Sequence, residues 1–118
     1  MKLRKAAMTV TITSFTACGC STNDDNLWRG HLVIAPEVET FQPCGAAEPF
    51  WLDVPLKTRD EIYAKHVSFT KEPYGRSFAI VRGDIGPKLD CGFCEEYPGS
   101  FKLVQLIEHR SASAVDCE

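Results

Sequence analysis

The residues best spaced for chemistry in this chain are Cys91 and Cys94, in the run Cys91-Gly92-Phe93-Cys94. Three chemistries compete for them. A thioredoxin-like redox centre sets its attacking thiol at a helix N-terminus, where the dipole lowers the thiol pKa. Here Glu95-Glu96 follows, which raises a thiol pKa, and Tyr97-Pro98-Gly99 stops any helix within one turn. No βαβ pattern precedes the pair, so the redox centre is disfavoured. A metal site is the second chemistry, since Cys-x-x-Cys is half a shell for Zn²⁺ or Cu⁺. Cys44 and Cys117, or a histidine, could complete it. His31, His66 and His109 stand singly, without ligand spacing, and no second Cys-x-x-Cys occurs. The third chemistry is a local disulfide. Together with Cys44 and Cys117 the pair makes four cysteines, whose three connectivities the spacing leaves open.

Other catalytic constellations fail on inspection. The chain has no Gly-x-Ser-x-Gly, no His-Glu-x-x-His and no phosphate loop. The acid pairs Glu95-Glu96 and Asp24-Asp25 read as solvated loop charges. Arg82-Gly83-Asp84 reads as a strand end followed by a turn rather than an integrin-type motif. We therefore expect a non-enzymatic protein without a cofactor. The alternative is a copper- or zinc-handling protein that uses Cys91 and Cys94.

The composition bounds the setting. There are 118 residues, with 13 Lys+Arg against 16 Asp+Glu, for a formal charge of −3. That length allows one small domain, and an acidic balance argues against nucleic acid, whose phosphates demand clustered cations. Met1 to Lys5 carries three positive charges, and Ala6 to Ala17 follows without any. A basic opening, an uncharged run of twelve and small residues at its end describe a secretory signal over 1–19. Twelve residues are too few to span a bilayer, which takes about 20.

Thr16-Ala17-Cys18 and Cys18-Gly19-Cys20 both set a small residue before a cysteine, as the bacterial lipobox does. Cleavage before Cys20 leaves Cys44, Cys91, Cys94 and Cys117, an even number; cleavage before Cys18 leaves an odd one. Cys20 is therefore the expected lipidation site, with Cys18 the alternative. Several acyl chains anchor stably where one does not, each buried CH₂ contributing about 0.8 kcal/mol. Residues 20–27 then form a polar tether, and 28–118 form the domain. Ser21, in place of Asp, after the lipidated cysteine directs the expectation to the outer membrane, on its periplasmic face. Loss of Lys2, Arg4 and Lys5 takes the 13 basic residues to 10 against 16 acidic, a charge of −6.

The elements that must position these residues are short strands. His31–Ala35, Val38–Gln42, Phe50–Val54, Phe78–Arg82 and Phe101–Ile107 are apolar or alternate at period two, with turn residues between. A single helix is expected between the third and fourth. Thr58-Arg59-Asp60-Glu61 forms its capping box, and Ile62, Tyr63 and Val67 its apolar side. Pro98-Gly99 suits a type II turn. Three strands, a helix and two strands is the order of the OB fold, a five-stranded, partly open barrel. Trp28, Phe41, Phe50, Trp51, Phe78 and Phe101 are expected to fill its core or plug its ends. An aromatic nucleic-acid platform would need interleaved cations that are scarce here.

A family resemblance rests on Trp28-Arg29-Gly30, Glu39-Thr40-Phe41-Gln42-Pro43-Cys44-Gly45, Phe50-Trp51-Leu52, Tyr63, Val81-Arg82-Gly83 and Cys117. These resemble the C-terminal OB-fold domain of the NlpE family of envelope lipoproteins, also called CutF. The resemblance covers nearly all of the mature chain. It implies a disulfide from Cys44 to Cys117 and a role in surface sensing or envelope stress. The partner expected for such a module is an envelope protein or a glycan. The N-terminal Cys-x-x-Cys barrel of the family's larger members is missing here, so roles residing there do not carry over. With Cys44 and Cys117 paired, Cys91 and Cys94 pair locally. A loop of about 70 residues contributes roughly 4 kcal/mol by chain entropy, and the small loop less. The local bridge is then the more easily reduced of the two.

Overall fold

Alternation of inward apolar and outward polar side chains decides where strands form in this chain, and turn residues decide where they stop. The computed structural model describes residues 26–118. In it, β1 (Leu27–Ala35), β2 (Val38–Pro43) and β3 (Phe50–Asp53) precede helix α1 (Leu56–Phe69), followed by β4 (Ser77–Gly86) and β5 (Ser100–Ser111). A single 3₁₀ turn, Phe93–Glu96, interrupts the connection between β4 and β5. The strands close into a barrel in the order β1-β2-β3-β5-β4, with β4 returning to β1. All neighbours are antiparallel except β3 and β5, which run parallel through Trp51–Ser100 and Leu52–Phe101. The OB-like fold is as expected, with α1 between β3 and β4.

The strands run longer than their apolar runs. β1 begins at Leu27, four residues before His31, and the pairing of β4 with β5 continues out to Gly86 and Ser111. The added residues include Arg29, Asp84, Glu108 and Arg110, polar side chains that a barrel tolerates on its outside face. Arg82-Gly83-Asp84 therefore lies within β4 and not at a turn. The expected type II turn at Pro98-Gly99 is absent, since Gly99 has no positive φ. Its carbonyl instead accepts the Trp51 amide at 3.1 Å.

The helix departs from expectation at its start and on its buried side. Pro55, with φ −61° and ψ 151°, precedes the first turn, and no side chain caps it. Proline's fixed φ and missing amide suit the entrance to a helix. Thr58 thus falls inside the first turn instead of ahead of it. Glu61 accepts from Lys57 Nζ at 2.6 Å, an i,i+4 pair, and does not close a capping box. The buried side chains are Ile62 and His66, while Tyr63 and Val67 are 43% and 46% exposed. One turn separates Ile62 from His66, so the helix presents a single narrow ridge to the barrel end.

Leu32, Ile34, Phe41, Leu52, Ala79, Val81, Phe101 and Leu103 line the interior with Ile62, and Trp28 and Phe50 pack against them. Phe101 is central: Phe41 lies 4.7 Å away and Trp28 meets it edge-on at 5.5 Å. Trp28 Nε1 donates to the Gly83 carbonyl at 2.8 Å, which satisfies the indole. Two aromatics depart from the expected core. Ala79 and Val81 face inward, so Phe78 points outward, yet it is fully buried. Trp51, beside inward Leu52, likewise lies on the outer face, half-buried, with Tyr97 at 5.6 Å.

Phe101 and Phe41 explain two glycines. A Cβ on Gly83 would stand 2.6 Å from Phe101 Cε1 and 2.3 Å from the Lys102 carbonyl. A Cβ on Gly30 would stand 2.7 Å from Phe41 Cζ. The rings lie directly on bare backbone. We expect Gly83→Ala to cost roughly 1–3 kcal/mol through overpacking, measured by urea unfolding. An unchanged midpoint would contradict this account of the barrel interior.

Candidate functional site

Outside the barrel, hydrogen-bond donors from two strands converge on one aspartate. Strand β1 supplies Arg29 and His31, which its alternation sends outward beside inward Gly30 and Leu32. Strand β5 supplies Arg110, opposite Phe78 of β4 in the ladder. The segment after β5, residues 112–118, folds back over this face and brings Asp116, only 2% exposed, among them. Asp116 Oδ1 accepts from Arg110 Nη1 at 2.9 Å, and Oδ2 from the Ser113 amide at 2.6 Å. Arg76 Nη2 donates to His31 Nδ1 at 2.8 Å, so the ring proton sits on Nε2. From there it donates to Asp116 Oδ2 at 3.0 Å. Arg29 donates to the Asp116 carbonyl.

Beneath these groups lies the Phe78 ring, with the Arg110 and Arg29 guanidinia 4.2 Å and 5.5 Å from its centroid and His31 edge-on. Burial alone would raise the Asp116 pKa. The Ser113 amide, the His31 and Arg110 hydrogen bonds and the Arg110 charge outweigh it and hold the carboxyl below its ordinary value. An open cleft of about 520 Å³ adjoins, lined by His31, Arg76, Ala112, Ser113, Ala114, Asp116 and Cys117.

Next to Asp116, Cys117 is joined to Cys44, 73 residues away in sequence. Cys44 directly follows β2, and its amide donates to the Arg29 carbonyl at 2.7 Å, which ties the bridge to β1 as well. Cys91 and Cys94 are joined to each other. Their loop connects β4 to β5; Cys91 is exposed, Cys94 fully buried, and Phe93 between them is 50% exposed. Gly92 takes φ +86°, a conformation strained for any other residue. Glu95 and Glu96 are exposed, as expected of solvated charges. Among the described residues, no three His, Cys, Asp or Glu side chains gather in a group that could hold a metal ion.

Where α1 closes the barrel end, sequence reasoning missed a second polar cluster. His66 Nε2 accepts from the Ile34 amide at 3.4 Å, so its proton is on Nδ1, 2.8 Å from Ser77 Oγ. The Ser77 hydroxyl then donates to His109 Nε2 at 2.8 Å. His109 Nδ1 is buried without a partner. Desolvation lowers the His66 pKa, against the backbone of Gly75. Desolvation first, then the charges of His66 and Lys65, push His109 down to about 4. Both rings are therefore held neutral. Ser77 is 0% exposed, so the cluster braces the helix and offers no nucleophile to solvent. The single histidines thus divide: His31 belongs to the outer site, His66 and His109 to the barrel end.

Cys18 and Cys20, expected for lipidation, lie outside the described residues, as do the signal over 1–19 and Asp24-Asp25. The Asp116 site carried no sequence signal beyond its neighbour Cys117. Comparison with protein-family models, with curated proteins and with solved structures gave no match to this chain.

The neutral histidines set a pH dependence. A lowered imidazole pKa means that the unfolded chain binds a proton the folded one refuses, so stability falls as pH drops from 6.5 to about 4. The depressed Asp116 carboxyl acts in a lower window, losing its contribution only as pH falls below its ordinary 3.8. The melting temperature should therefore decline between pH 6.5 and 4, with a shallower slope in His109→Gln. Parallel profiles for variant and parent would sink the assignment. The bridges differ by loop length: Cys117→Ser should cost about 4 kcal/mol and Cys94→Ser about 2 kcal/mol on chain-entropy grounds. Denaturant titration of each variant reads this directly, and a Cys94→Ser cost equal to or above that of Cys117→Ser would reverse the order.

Proposed function

We propose that this chain is a lipid-anchored bacterial envelope protein, tethered through Cys20, whose barrel is a non-enzymatic binding or sensing module facing the periplasm. The observation that carries the reading is that Cys44, Cys91, Cys94 and Cys117 are all consumed in two intrachain disulfides. Such bridges belong to an oxidising compartment, and the basic, then uncharged, opening of the chain is the device that would deliver it there. The even number of cysteines left after cleavage at Cys20 fits the same scheme.

The NlpE resemblance points the same way. It implies a Cys44–Cys117 bridge and an OB order of strands, and both features occur in this barrel. The chemistry on the surface favours binding over catalysis. Ser77, the hydroxyl flanked by two imidazoles, is sealed from substrate. Asp116 is ionised and saturated with donors, which suits neither a general base nor a nucleophile. Exposed loops and an accessible outer face remain, and those are what an OB domain uses to meet a ligand. An envelope protein or a glycan is the partner this reading calls for, at the outer membrane.

Expression in a bacterial host with labelled palmitate tests the anchor. The parent chain and Cys18→Ala should both carry label and sediment with membranes. Cys20→Ala should lose the label and appear in the soluble periplasmic fraction. A Cys20→Ala protein that remains labelled and membrane-bound would refute attachment at Cys20.

A further inference from the structure

Phe78 has no exposure, yet it sits on the outer face of β4, where a barrel ordinarily meets water. Arg29, Arg110 and His31 lie against its ring, and these in turn hold Asp116 of the segment 112–118, which adds no strand to the sheet. The backbone bonds of that segment are turn contacts of its own, Asp116 N–H to the Ser113 carbonyl and Glu118 N–H to the Val115 carbonyl. One disulfide and one aspartate hold it down. The barrel side of the contact is fully equipped without it: an aromatic floor in Phe78, a guanidinium in Arg110 and an imidazole in His31 for a carboxylate, and Arg29 for a main-chain carbonyl. Charge-assisted donors around a carboxylate, with a further donor for the peptide backbone, make up a recognition site for an acidic segment in a turn such as the one seated here. The adjoining cleft of about 520 Å³ leaves room for more of such a segment. The cations also run against the chain's character, which is acidic overall at a formal −3.

We propose that the cradle of Arg29, His31, Phe78 and Arg110 is a recognition site for an aspartate-bearing turn segment of a partner protein, and that residues 112–118 are the occupant it holds in the partner's absence. This deepens the binding-module reading and rests on it, naming the chemistry of the partner. An incoming aspartate takes over the Arg110 and His31 donors, and its carbonyl takes Arg29. The Ser113 amide leaves with the displaced segment. Because Cys117 stays bridged to Cys44, that segment remains beside the site at high effective concentration, and only a well-matched partner displaces it.

The test uses the full chain with Asp116→Asn and Cys117→Ser together, which unseats the resident segment. A fluorescent synthetic peptide, Ala-Ser-Ala-Val-Asp-Ser-Glu, is titrated by anisotropy. Saturable binding is expected, weakened about tenfold or more by Asn for Asp in the peptide or by adding Arg110→Ala to the protein, the loss of one charge-assisted contact. The oxidised parent should bind more weakly than the unseated chain, by a similar factor. Equal binding of the Asp and Asn peptides, or binding unaffected by Arg110→Ala, would overturn the proposal, as would no saturation at millimolar peptide. Should the double variant fail to fold by circular dichroism, Asp116→Asn alone keeps the bridge and is read by the same Asp-to-Asn peptide ratio; a ratio near one overturns the site there too. Failure of this titration leaves palmitate labelling at Cys20 untouched. Failure of the labelling with the peptide ratio intact removes the anchor and keeps the cradle.

Discussion

A barrel of only five strands has room inside for very few rings, and Phe101 takes the centre of it. Everything near that ring is arranged around its volume. Gly30 and Gly83 have no side chain because Phe41 and Phe101 lie where a Cβ would be. The pairing of β4 with β5 shifts register at Ile80/Val81 and again at Arg82/Gly83, which bends both strands around the same core. Trp28 closes one side, with its indole N–H on the Gly83 carbonyl. Interiors pack to crystal-like density, so such an arrangement admits little substitution.

With the inside full, further polar and aromatic groups must be managed at the barrel's end and on its outer face, and the two solutions are opposite. At the end, His66 and His109 are kept neutral and share Ser77, so a helix with little apolar surface can dock through hydrogen bonds. On the outside, Asp116 is kept charged by three donors, and a segment with no strand pairing is held by that charge. The first solution tolerates no proton gain; the second tolerates no charge loss. Each polar group in a low-dielectric setting is costly when unpaired. Among the described residues, His109 Nδ1 is the place where that cost is left standing.

The order of elements was legible from the chain because alternation and turn residues are local. Val38–Gln42 and Phe50–Leu52 announce strands on their own. Strand ends were not legible, because Arg29, Asp84 and Arg110 pair in the sheet while facing water, and nothing local marks a polar residue as paired. The Thr58 signal misplaces the helix start because Pro55 already sets the entrance three residues earlier. Phe78 reads as core in sequence because the groups against it, Arg29, His31 and Arg110, come from strands that only the closed sheet sets beside it. For the same reason the Asp116 site escaped notice: its donors sit at positions 29, 31 and 110, and only the closed sheet brings them together. The cysteine pairing was open to arithmetic but not to choice, and the resemblance supplied the choice.

The two bridges are nested, Cys91–Cys94 lying within the span of Cys44–Cys117. A ribosome, or a translocation pore, delivers these thiols in numerical order. Cys44 therefore waits through the emergence of Cys91 and Cys94 before its own partner exists. An oxidant that joins Cys44 to the next thiol after it makes Cys44–Cys91, a pair that the closed barrel does not contain. Reaching the native set then requires attack by a free thiolate on that bridge, a step of seconds to hours without a catalyst. From such a pair, the native set of this small barrel is reached by thiol–disulfide exchange and not by oxidation alone.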